Sequence, residues 1–161
     1  MVLSKKSNPV QQVSKPTSKD FSYEEYPFYW IARAINLYTE QMKKILNKSR
    51  ITVTGWRIGL ILRQHEALSV SELSEICSFS SSRVTKTVYA MQERSLLRIK
   101  QSTSDGRVSE VSITPEGNAL IGQLIQNTRK TVDLALDGLT DSELLGVQKV
   151  MAKVCDNLAH R

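Results

Sequence analysis

The chain has 161 residues, 40% of them hydrophobic, and a formal net charge of +6, which suits one domain with a real core and is too little for two. No window approaches the ~20 consecutive apolar residues of a membrane span, and the N-terminus carries no apolar signal core. Two cysteines, Cys77 and Cys155, fit neither a disulfide framework nor a metal site, so the expectation is a reduced, cytoplasmic protein without cofactor or metal.

Residues 1–20 are rich in Ser, Lys, Gln and Pro, with four Lys against one Asp, and bury too little to offset the entropy of ordering. They read as a disordered basic arm, and residues 21–161 as a single domain. A long helical stripe over about 23–48 carries Ile31, Ile35, Tyr38, Met42 and Ile45, with the aromatic cluster Tyr26, Phe28, Tyr29 and Trp30 at its start. The next pattern, Thr54 to His65, is apolar on nearly every side, as a helix at the centre of a small domain is. A brief strand at Leu68 to Val70 is placed to join a sheet further on.

At Ser69 a capping box opens a short helix, with Glu72 three residues on, and Leu73, Ile76 and Cys77 are its expected inward residues. Only Ser78-Phe79-Ser80 separates it from a second helix, which Ser80 caps. Val84, Val88 and Met91 recur at i, i+4, i+7 as the buried face of that second helix. Its other face presents Ser81, Ser82, Arg83 and Lys86 in the first two turns. Small hydroxyls let a helix approach a major groove closely, and two cations suit base edges or phosphates. Thr85 and Thr87 are further candidates for phosphate contact, against the alternative of bonding back to their own helix.

After Leu96 the period changes to 2. Leu97 and Ile99 alternate with Arg98 and Lys100, and beyond Asp105-Gly106 the residues Val111 and Ile113 alternate with Glu110 and Ser112. Pairing Leu97 with Ile113 and Ile99 with Val111 centres a hairpin loop on Asp105. Arg107 at its tip is the candidate for a minor groove, with Asp105 supporting it by a charge-assisted bond. From Phe79 to Arg107 six Lys/Arg face two acidic residues, whereas the stretch from Pro115 to Arg161 carries five Lys/Arg against six Asp/Glu. Positive charge thus collects where the motif lies, as a polyanion partner requires.

Thr114-Pro115-Glu116 starts a further helix, whose stripe of Leu120, Leu124, Thr128, Val132, Ala135 and Leu139 is interrupted at Asp137-Gly138. Thr140 and Glu143 then cap a last helix with Leu144, Val147, Val150, Met151, Val154 and Leu158. Apolar stripes this long on terminal helices are expected to cover each other across a two-fold axis.

The run from Leu68 to Gly117 resembles the MarR family of bacterial transcription regulators, in the capped helix, the Ser/Thr/Arg-rich second helix, the wing Asp105-Gly106-Arg107 and the ending Ile113-Thr114-Pro115-Glu116-Gly117. Ser95 departs from the Gly usual in the family after the recognition helix and must take that turn at some strain. The resemblance implies a mainly α fold with a small β-hairpin wing, a winged helix-turn-helix lobe over about 52–114, and dimerisation through helices at about 23–48 and 114–160. It implies a homodimeric, ligand-responsive repressor on double-stranded DNA, with Ser80, Ser81, Ser82, Arg83, Thr85, Lys86, Thr87 and Arg107 at an inverted-repeat site. For a small aromatic or phenolic effector the candidates are Tyr29, Trp30, Arg33, Tyr38, Trp56 and His65, with Arg33 as a cation for a carboxylate.

Other classes find less support. There is no glycine-rich phosphate loop or nucleophile elbow, and neither His65 nor His160 sits beside clustered carboxylates, so an enzyme is not expected. Tyr23 to Arg33 contains no cysteine for peroxide sensing. A winged-helix adaptor that binds a partner protein instead of DNA is the rival reading, and the cations Arg83, Lys86, Arg98, Lys100 and Arg107 argue against it.

Overall fold

The computed structural model describes residues 15–101 and 109–159. The first 14 residues of the arm, the tip Asp105-Gly106-Arg107 and His160 lie outside them. Two compact units divide the chain, Met1–Thr128 and Arg129–Arg161.

The first unit opens with a 3-10 turn at Tyr23–Glu25, after which α1 runs over Pro27–Leu46 and ends in a second 3-10 turn at Asn47–Ser49. One continuous helix from 23 was expected. Pro27 explains the break, since the residue before a proline is pushed out of the α region, and Tyr26 sits at φ −88, ψ 110. α2 spans Val53–Leu62, shorter at its C-terminus than the expected Thr54 to His65, and is capped by Thr52, whose hydroxyl accepts from the Gly55 amide at 3.0 Å. Trp56, Ile58 and Leu62 are buried on it, in keeping with its all-round apolar pattern.

β1, Leu68–Ser69, leads into α3, Val70–Cys77, through the complete capping box. The Ser69 amide donates to Glu72 Oε2 at 2.7 Å and the Glu72 amide to Ser69 Oγ at 3.1 Å. Leu73 and Cys77 are buried as expected, but Ile76 is 51% exposed. On so short a helix the i, i+4 pair Leu73 and Cys77 defines the inner face, and Ile76 falls about 100° from Cys77.

Ser78, in the left-handed region at φ 54, ends α3, and α4 follows over Ser81–Gln92 with Val84, Val88 and Met91 buried. β2, Leu97–Gln101, pairs antiparallel with β3, Ser109–Ile113, in the register Leu97 with Ile113 and Ile99 with Val111. β1 adds to the far edge of β3 through Leu68 and Val111, giving the order β1-β3-β2. The core gathers Met42 and Leu46 from α1, α2, Leu73, the inner face of α4, Leu97, Val111, Ile121 and Leu124.

The corner between the wing and the next helix is tightly bonded. Thr114 Oγ1 donates to Ser95 O at 2.7 Å and lies 3.0 Å from Leu96 O, while accepting from the Gly117 amide at 3.0 Å. Ser95 holds the left-handed conformation, φ 58, that the sequence demanded of it.

α5 spans Pro115–Leu136 and α6 spans Asp141–Ala159. Gly138, at φ +78, makes the turn between them. Thr140 and Glu143 form the second capping box, with the Thr140 amide 2.8 Å from Glu143 Oε2 and the Glu143 amide 3.3 Å from Thr140 Oγ1. In the second unit Leu134, Leu145, Val147, Val150 and Leu158 are exposed. Cys155 is exposed as well, although it lies on the apolar side of its helical pattern: no side chain of α6 is buried within this single chain. Among the described residues no helix is long and apolar enough to cross a membrane.

Candidate nucleic-acid interface

α4 is positioned by its buried stripe, and its first turn is held by Ser80 Oγ, which accepts from the Arg83 amide at 3.4 Å. Opposite the stripe, Ser81, Ser82 and Lys86 are exposed. Arg98 and Lys100 on β2 are exposed as well. Thr85 is half-buried and lines a cleft with Ser69, Tyr89 and Ile99. Thr87 takes the competing role, since its Oγ1 donates to Arg83 O at 2.9 Å.

Arg83 is also exposed, yet it is engaged within the protein. Its Nε donates to Thr54 Oγ1 at 2.9 Å and its guanidinium lies 4.1 Å from the centroid of the Phe79 ring. Arg57 places a second guanidinium 4.8 Å from the same ring and donates from Nη1 to Cys77 O at 3.2 Å. Both are cation–π contacts, and they make Phe79 the pivot between α2 and α4. Burial raises the Cys77 thiol pKa, only partly opposed by nearby Arg57, which suits an inert core residue.

Sequence reasoning assigned no role to Arg50, Thr54, Arg57 or Arg94. Arg50, Thr52, Arg83, Lys86 and Arg94 border one groove beside α4. Arg94 donates from Nη1 to Arg50 O at 2.6 Å and from Nη2 to Ser49 O at 3.0 Å, bracing Arg50 in its left-handed conformation at φ 52. These contacts join residues more than forty positions apart, and no short sequence window signals them.

The six candidate effector residues are dispersed. Tyr29 and Arg33 share a surface cleft, with Arg33 Nη1 3.5 Å from the Tyr29 hydroxyl. Trp30 packs edge-on against Tyr29 at 5.1 Å and donates to Glu24 O at 2.7 Å. Tyr38 packs against the core, Trp56 belongs to it, and His65 is exposed beyond the end of α2.

A capped helix, a three-residue turn, a second helix with a polar outer face and a three-stranded antiparallel sheet define a winged helix-turn-helix protein. The MarR family pattern matches residues 51–109. The HTH-type transcriptional repressor IacR of Pseudomonas putida is 35% identical over 143 residues, covering 89% of this chain and 86% of that protein. Among solved structures, BpsR of Bordetella bronchiseptica, studied for regulation of its DNA binding by 6-hydroxynicotinic acid, superposes with a TM-score of 0.75 at 19% identity, covering 84% of this chain and 97% of its own. A mutant MarR from E. coli complexed with operator DNA gives 0.71 at 18% identity, over 82% and 96% of the two chains. The chain belongs to the MarR family. It is a DNA-binding transcription regulator and not an enzyme.

Proposed function

We propose that the protein is a ligand-responsive repressor that binds an inverted-repeat operator as a homodimer. The observation that carries this reading is α4, whose capped N-terminal half offers Ser81, Ser82 and Lys86 to solvent while Val84, Val88 and Met91 anchor it. Two such helices about one turn of duplex apart, ~34–36 Å, enter consecutive major grooves. Ser80, Thr85 and Thr87 flank the contact, and Arg107, supported by Asp105, reaches the adjoining minor groove. The exposed apolar residues of α6 support a dimer built from the terminal helices, because a stripe left open in one chain is suited to burial against a second. Repression accords with the relationship to IacR. An aromatic acid effector accords with the hydroxynicotinic acid that regulates BpsR.

Ligand binding that favours a different spacing of the two lobes weakens the complex by geometric mismatch. The test is a fluorescence-anisotropy titration against DNA flanking the protein's own gene and a scrambled control, across a salt series. Preferential binding with a salt slope reporting several phosphates is expected. Arg83→Ala should narrow the gap between the two DNAs and Arg107→Ala should weaken both; unchanged binding by both variants refutes the contact assignment.

A further inference from the structure

The groove beside α4 has a volume of about 400 Å³, and its walls carry Arg50, Arg83, Lys86 and Arg94 without an acidic residue. Among the described residues none of these cations is paired with a carboxylate. Ile51 and Met91 give it an apolar floor. That floor is closely built, since a Cβ at Gly55 would stand 3.0 Å from Met91 Sδ and the first turn of α2 therefore lies directly against α4. Helical arithmetic places the groove relative to a duplex. At 100° per residue Arg83, Ala90 and Arg94 fall within about 40° of one another, on the flank of the face that centres on Ser82 and Lys86. A helix of ~10–12 Å diameter fills a major groove of ~12 Å width, so a sugar–phosphate strand runs along each flank. Cations above an apolar floor suit such a strand, in which phosphates alternate with deoxyribose carbon.

Arg50 and Arg94 stand together at one end of this groove. Arg50 holds the left-handed conformation, φ 52, ψ 39, which glycine takes without cost and a residue with a long side chain does not. Arg94 secures it, donating from Nη1 to Arg50 O at 2.6 Å and from Nη2 to Ser49 O at 3.0 Å. Those bonds use two of five guanidinium N–H groups, and carbonyl dipoles leave the charge in place. Thr52 Oγ1 accepts from the Gly55 amide, which leaves its own proton to donate at the positive end of α2. Arg83 is held instead by Thr54 and the Phe79 ring. Arg94 lies about three turns beyond Arg83, past the N-terminal turns that reach base edges, so its partner is backbone. We propose that this groove seats the DNA backbone: Arg50 and Arg94 hold a phosphate of the strand along the α2 flank, and Arg94 also positions Arg50 by bracing its turn. The inference rests on the DNA-binding reading above and deepens it, and it needs neither the inverted repeat nor an effector. A phosphate contact carries no sequence information, so the seat fixes the register of α4 and adds equally to the binding of any duplex.

The experiment follows the anisotropy of the full chain on two duplexes, one of random sequence and one flanking the protein's own gene, across a salt series. Arg50→Asn removes the charge and keeps the turn, because Asn tolerates the left-handed region. It should weaken binding about tenfold at ~0.1 M salt, by the same factor on both duplexes. The slope of log affinity against log salt concentration should fall by about 0.9 for each lobe bound. Arg94→Gln loses its own charge and the brace of Arg50 together, and should lower the slope by more than Arg50→Asn does. An Arg94 that served folding alone would leave the slope of the folded protein unchanged. Arg63→Gln removes the same charge from the opposite end of α2 and should leave the slope at the parent value. Circular dichroism checks that each variant folds, and Arg50→Asn decides by itself if Arg94→Gln does not. An unchanged slope in Arg50→Asn overturns the proposal, as does an equal change in Arg63→Gln or a loss confined to one of the two duplexes. Failure of the parent to prefer the flanking DNA would instead overturn the operator reading, while the slope on the random duplex still judged the groove.

Discussion

The corner where the wing meets α5 allows a sharp calculation. A Cβ added at Gly117 would stand 2.0 Å from the carbonyl oxygen of Leu96 and 2.9 Å from its carbon. Carbon–oxygen contacts settle near ~3.3 Å, so Gly117→Ala must drive the first turn of α5 from the Leu96 backbone by roughly 1 Å or more. Nothing flexible yields there, because the obstacle is main chain. The displacement breaks bonds made across the same corner: Leu96 O accepts from the Thr114 amide at 3.1 Å and Ser95 O from Thr114 Oγ1 at 2.7 Å.

Losing those two bonds costs about 0.5–1.5 kcal/mol each, and overpacking adds about 1–3 kcal/mol. The better helix propensity of Ala returns at most about 1 kcal/mol, leaving a net loss of about 1–5 kcal/mol out of a typical 5–15 kcal/mol. Urea unfolding followed by circular dichroism measures it. Gly122→Ala on the same helix is the control, since its Cβ would meet only the Arg63 guanidinium, no nearer than 3.6 Å, and the variant should be neutral or up to about 1 kcal/mol more stable. A loss below about 1 kcal/mol for Gly117→Ala, or equal losses for the two variants, would refute the packing of this corner.

Other consequences are open to the same methods. Ser95→Gly relieves a left-handed serine and should stabilise the protein by about 1 kcal/mol, raising Tm by a few degrees; no gain would mean that the turn is not strained. Glu72 and Glu143 have carboxyl pKa values lowered by their hydrogen bonds to Ser69 and to Thr140. A carboxylate whose pKa is depressed in the folded state stabilises it above the unfolded pKa of ~4.3 and loses that contribution as pH falls through the folded value. Tm should therefore drop between about pH 5 and pH 3, and the drop should shrink in the double variant Glu72→Gln/Glu143→Gln; an unchanged drop would assign it to other groups. Cys77, buried and with a raised thiol pKa, should resist iodoacetamide in the native protein and react once urea unfolds it.

Local rules carried much of the architecture because they were satisfied locally. The Ser69–Glu72 and Thr140–Glu143 boxes involve residues three apart, and the wing register follows from alternation about one turn, so each was legible in a short window. Pro27 was legible too, yet the aromatic run around it disguised the break as one helix. Ile76 failed for a related reason: on an eight-residue helix one step of 100° separates buried from exposed, and periodicity alone does not decide which side of the stripe wins. The exposure of Cys155 reflects a different limit. Its helix is apolar along one stripe, and periodicity says that such a stripe needs covering without saying which surface does so.

The site shows where sequence reading stops. Ser82, Arg83 and Lys86 share one face by helical arithmetic, within about 100° of arc, but the direction Arg83 takes from that face depends on Thr54, twenty-nine residues away. That acceptor is visible in the sequence only as a threonine beside a helix start, where capping is the ordinary explanation, and it is Thr52 that does the capping. Thr54 is left, nearly buried at 4% exposure, with its hydroxyl turned to the guanidinium. A buried hydroxyl without a partner would cost about 1–3 kcal/mol, so Thr54 favours the conformation in which Arg83 supplies one. Swinging Arg83 toward a duplex gives up that bond and the Phe79 contact together, and the DNA contact must exceed both. On the proposed contact, the affinity that DNA would gain from Arg83 is therefore a difference between two competing environments for one side chain.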